Sequence, residues 1–92
     1  MADIREWGPQ DYEDHRKALG YLNARTVAPD TADAYMHPIL EEAEDLRDEM
    51  TRLFSAMGSI AQYLAQLRAK EMGIPAAETF AQLGRIISPP GE

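Results

Sequence analysis

Residues 36–67 read MHPILEEAEDLRDEMTRLFSAMGSIAQYLAQL, and their apolar spacing decides the fold. Met36, Ile39, Ala43, Leu46, Met50, Leu53, Met57, Ile60, Leu64 and Leu67 follow one another in alternating steps of three and four residues, with no slip. Apolar residues recurring every ~3.5 positions form a seam on a helix that pairs with another helix. A long helix with one apolar stripe is not stable alone and has to be covered. The seam, with Phe54 flanking it, is therefore the expected oligomer interface.

Working outward from the seam, Pro38 removes one helical hydrogen bond and crowds the preceding turn. A helix begun near Thr31 should kink there, and the central helix proper is expected over residues 38–72, on the order of 50 Å long. Gly58-Ser59 is its weak point, because Ser59 and Gln62 could form a capping box for a fresh start. The heptad keeps phase through Gly58, so the helix is read as continuous. Gly58, Ala61 and Ala65 make a strip of small residues on a second face, read as a place where another helix approaches closely. The glycine costs about 1 kcal/mol of helix propensity.

Upstream, Gly8, Pro9 and Asp11 are the signals of a helix start, with Trp7 and Tyr12 placed to form a hydrophobic staple. Tyr12, His15, Leu19 and Leu22 repeat at helical spacing, predicting a helix over 9–25 with a buried stripe and a polar back. Downstream, Gly73 suits the end of the central helix and Ile74-Pro75 the start of another. Its stripe is Phe80, Leu83, Ile86 and Ile87, over 75–87. Residues 1–8 are read as an N-terminal extension carrying Trp7, and 88–92 as a flexible tail. No alternating β-branched run or hairpin dipeptide signals a strand.

Ninety-two residues support one small domain, here 9–87, and 45% hydrophobic residues suit a folded one. The absence of cysteine removes disulfides and thiolate zinc sites and fits a reducing compartment. The N-terminus lacks the pattern of a signal peptide. The longest uncharged run, Leu53 to Leu67, is short of the ~20 residues of a membrane span. A soluble, cytoplasmic protein without membrane contact is expected. Charge is uneven: residues 1–50 hold 13 acidic and 5 basic side chains, residues 51–92 hold 3 and 4. Such a chain is poorly suited to nucleic acid, which demands clustered cations.

The run of acids from residue 41 to 49 has an ordinary reading as a solvated helix start favoured by the macrodipole, with Glu44–Arg47, Asp48–Arg52 and Glu49–Arg52 pairs. The sharper reading is an acidic face, Glu41, Glu44, Asp45 and Asp48, aimed at a basic protein partner. His37 and Glu41 share a face but lack the inward Glu-x-x-His arrangement of a carboxylate-bridged metal site. His15 and His37 have no assignable acid partner, and Ser55 and Ser59 no nucleophile elbow. No catalytic residue, cofactor site or metal site is assigned, and the chain is not expected to be an enzyme.

Residues 68–84 resemble the front half of a helix-turn-helix, with a helix starting after Gly73-Ile74-Pro75 and ending in Leu83-Gly84. The recognition helix that should follow is missing. The sequence thus predicts an all-α protein: a helical bundle or coiled coil on one long central helix flanked by two shorter ones, self-associating as a homodimer. Its expected function is non-enzymatic protein–protein interaction, as a regulatory or adaptor protein. The alternative is a small DNA-associated transcriptional regulator using the C-terminal segment.

Overall fold

The computed structural model describes residues 6–88. The remainder of the expected N-terminal extension, 1–5, and of the expected tail, 89–92, lies outside the described residues. Helix α1 spans Pro9–Val27, followed by a 3-10 turn at Pro29–Thr31; α2 spans Ala32–Glu41, α3 Leu46–Met72 and α4 Ala76–Ile87. The described residues contain no strand, so the protein is all-α. The chain divides into two compact units, Met1–Ile60 and Ala61–Glu92. The first half of α3 belongs to one and its second half to the other.

In the first unit, α1 starts with Pro9 at its first position, and the Gly8 N–H donates to the Asp11 carboxylate at 2.9 Å. The Trp7 ring stands edge-on to Tyr12, with centroids 5.3 Å apart, and stacks on His15 at 3.9 Å. The expected buried stripe of α1 is corrected. Tyr12 and Leu19 are about half exposed, whereas Asp14 and Ala18 are buried. The face turned inward carries Asp14 and Ala18, buried, flanked by Lys17 and Tyr21, half-buried, at helical spacing. Small side chains explain part of this choice, since Tyr35 of α2 lies directly on Gly20, where an added Cβ would come within 2.7 Å of the ring Cζ.

The single central helix over 38–72 is also corrected. Pro38 sits inside α2 without ending it, and the interruption falls at residues 42–45. The Asp45 carboxylate accepts the Asp48 N–H at 3.1 Å and the Asp45 carbonyl accepts the Glu49 N–H at 3.0 Å. That is an N-cap, which satisfies the free donors of a new helix start and competes with helical continuation through Ala43. Met36, Ile39 and Ala43 therefore precede α3 rather than extending its stripe. Past Leu46 the helix is continuous through Gly58.

In the second unit, α3 ends at Gly73, whose φ of +66° is the left-handed conformation glycine adopts freely. The Gly73 and Ile74 N–H groups both donate to the Ala69 carbonyl, at 2.8 and 3.3 Å, closing the helix. Arg68 donates to the Thr79 hydroxyl at 2.9 Å, tying α3 to α4. Ala65 is buried and shares a small recess with Ala76, Ala77 and Phe80. Of the expected strip of small residues Ala65 is buried, whereas an added Cβ at Gly58 would meet nothing within 4 Å.

The two glycines set up a matched test. Gly58→Ala should gain about 1 kcal/mol from helix propensity alone. Gly20→Ala should gain less, because the exposed Tyr35 ring has to swing off α1 to admit the methyl and gives up its contact there. Urea unfolding of both variants reads the difference; equal stabilisation would mean that Tyr35 does not rest on Gly20.

Candidate functional site

The inward polar face of α1 meets the first turns of α3 through an ion network. Arg52 is its centre: Nε lies 3.2 Å from Asp14 Oδ2, one terminal nitrogen lies 2.7 Å from Glu49 Oε2, and the other pairs with Asp48. Lys17 Nζ completes the bridge at 3.0 Å from Glu49 Oε1 and 3.5 Å from Glu13. Gln10 donates to Asp14 Oδ1 at 2.9 Å. Asp14 and Glu49 are only 4% and 5% exposed. Two carboxylates this deep are tolerable because each accepts bonds from a cation on the neighbouring helix. The Lys17 ammonium is held above its usual pKa, chiefly by its bond to Glu49.

Of the expected surface pairs Glu44–Arg47, Asp48–Arg52 and Glu49–Arg52, the last two form, while Glu44 lies in the interruption before α3; Asp14 and Lys17 were missed. The available signal was positional: Asp14 and Ala18 occupy successive turns of one face, and Ala18 is the side chain most easily buried there. Of the expected acidic face, Glu44, Asp45 and Asp48 line a polar cleft of about 340 Å³ together with Glu42, Glu49 and Glu13. Glu41 is exposed and does not contribute to that lining. Among the described residues, no three His, Cys, Asp or Glu side chains are grouped to hold a metal ion.

The first unit also holds an apolar groove of about 450 Å³, lined by Tyr21 of α1, Asp33, Met36, His37 and Leu40 of α2, and Met50, Leu53, Phe54 and Met57 of α3. Tyr21 donates its hydroxyl to Asp33 at 3.2 Å and receives a bond from Arg25 at the same distance, which fixes that end of the groove. The seam residues divide by exposure. Leu53 is buried by its own chain at 3% exposed; Met36, Ile39, Ala43, Met57 and Ile60 are half-buried. Leu46, Met50 and Phe54 stand open, Phe54 at 70%. In the second unit Leu64 and Leu67 are likewise exposed, as are Phe80, Leu83, Ile86 and Ile87 on α4.

His15 Nδ1 lies 2.6 Å from the Asp11 carbonyl, and its buried Nε2 has no hydrogen-bond partner beneath the Trp7 stack. Among the described residues, no helix is long and apolar enough to cross a membrane. No protein-family model, curated protein or solved structure matches the chain.

Arg52→Met should cost about 3–5 kcal/mol in urea unfolding, because it leaves the buried Asp14 without its cation and Glu49 with Lys17 alone. A loss under about 1 kcal/mol would reduce the network to ordinary surface pairs. For Lys17 the raised pKa makes its stabilisation complete below about pH 10.4, the unfolded value, and lost as pH rises through the higher folded value. Lys17→Met should therefore flatten the alkaline fall in stability, measured against the unmutated protein between pH 9 and about 11.5.

Proposed function

We propose that this protein is a non-enzymatic helical interaction protein, regulatory or adaptor in kind, that acts as a homo-oligomer, most simply a dimer. One observation carries the reading. Among the described residues the buried apolar ones are Leu53 and four alanines, Ala18, Ala32, Ala56 and Ala65, while large side chains such as Phe54, Leu64 and Ile87 remain open. Alanine methyls bring little of the hydrophobic stabilisation that a chain of this size needs to offset its lost conformational entropy. Apolar surface left open on this scale belongs to an interface. The interface residues are those of the seam: Leu46, Met50, Phe54, Met57 and Ile60, with Leu64 and Leu67 in the second unit. The acidic cleft is a second surface, suited to a basic protein partner.

The DNA-associated reading draws no support from side-chain placement. Of the three cations in the second unit, Arg68 is engaged with Thr79 and Arg85 with Glu78 at 2.9 Å. That contact holds the Glu78 carboxyl below its usual pKa.

Phe54→Asp separates association from folding, since its side chain stands open in the single chain. Sedimentation equilibrium should show the unmutated protein as a dimer and Phe54→Asp shifted toward monomer by at least tenfold in Kd, about 1.4 kcal/mol. Leu53→Ala should instead destabilise the fold by about 2–5 kcal/mol. An unmutated chain that is monomeric and stably folded at 100 μM would contradict the proposal.

A further inference from the structure

We propose that the methionine groove of the first unit is the seat of α4 from a second copy of this chain, so that two copies exchange helices reciprocally. The inference rests on the self-association reading and specifies what it leaves open, namely which surface covers which.

The two surfaces match in chemistry. The groove offers Met36, Met50 and Met57, unbranched and polarizable side chains that adapt to an inserted shape, beside the open ring of Phe54. Helix α4 presents Phe80, Leu83 and Ile87 at positions i, i+3 and i+7, the anchor spacing with which a helix enters an apolar groove. All three are exposed, Ile87 by 78%. The charges on α4 do not oppose this seat, because Glu78 and Arg85 satisfy each other on the same helix.

Charge also selects the arrangement. Residues 1–60 carry 13 acidic and 6 basic side chains, a net charge of −7, whereas residues 61–92 carry 3 of each. Seating groove against groove would bring two strongly acidic units together. Seating α4 of one copy in the groove of the other sets an acidic unit against a neutral one and avoids that repulsion.

The area is adequate as well. Met50, Phe54, Phe80, Leu83 and Ile87 each offer on the order of 100 Å², so two equivalent contacts bury on the order of 1,000 Å², the lower bound for a specific interface. The exchange closes with two-fold symmetry, covering the groove and the α4 stripe of both copies at once. A foreign helix in the groove would leave the chain's own α4 stripe bare.

The lack of cysteine makes the test direct. His37→Cys places a thiol on the groove lining, and Gly84→Cys places one beside the α4 stripe, where an added Cβ meets nothing within 4 Å. The two single variants are mixed in equal amounts, oxidised mildly and run on a denaturing, non-reducing gel, with sedimentation of the unmutated protein alongside. The expected result is a sedimenting dimer and a mixed His37→Cys/Gly84→Cys disulfide at least fivefold more abundant than either self-linked product. A dimer in which His37→Cys links mainly to its own copy would overturn the α4 seat while leaving self-association standing. A monomer would remove both and leave the groove to a foreign helix. Ile87→Asp, at an exposed helix end, should keep its helical circular dichroism and weaken the dimer at least tenfold; an unchanged dimer Kd would overturn the proposal.

Discussion

The guanidinium of Arg52 between Asp14 and Glu49 is the contact on which the first unit depends. It joins α1 to α3 across 38 residues of sequence, with Lys17 doubling the link through Glu49. Both carboxylates are nearly inaccessible, so each must keep a cation or be left with an uncompensated desolvation cost. An attachment of this kind fixes geometry more than it adds stability. It orients α3 so that Leu53 turns inward while Met50 and Phe54 line the groove opposite α2.

A polar attachment on one side leaves the apolar accounting unfinished. Among the described residues alanines fill most of the buried apolar positions, and at Gly20 the Tyr35 ring of α2 lies against the α1 backbone. Such contacts need small residues and release little hydrophobic free energy. The larger side chains are displaced outward into the groove and onto α4. The proposed homo-oligomer follows from that division: one set of residues shapes each chain, and another is free to join two chains.

The helical class was legible because it depends on local signals. The heptad spacing, the Pro9 and Asp11 start and the Gly73 stop all act within a few residues. Two features were not legible for the same reason. The break before Leu46 comes from the Asp45 carboxylate, whose capping role looked like one more charge in an acidic run. The inward face of α1 is chosen by Arg52, 38 positions away from Asp14. Apolar periodicity assigned the interior to Tyr12 and Leu19, and a tertiary ion network assigned it to Asp14 and Ala18. The methionine groove was half visible, since Met36, Met50, Leu53 and Met57 were on the seam, but the contribution of Tyr21 and Leu40 required the chain to be folded.

The central claim is that folding of this chain is completed by a second copy. Thermal unfolding followed by circular dichroism over protein concentrations from about 1 to 500 μM tests it most directly, because mass action makes Tm depend on concentration only when association stabilises the native state. The account predicts a Tm that climbs steadily with concentration, together with a sedimenting mass of two chains at the upper end. A Tm independent of concentration across that range, with the mass of one chain throughout, would contradict it.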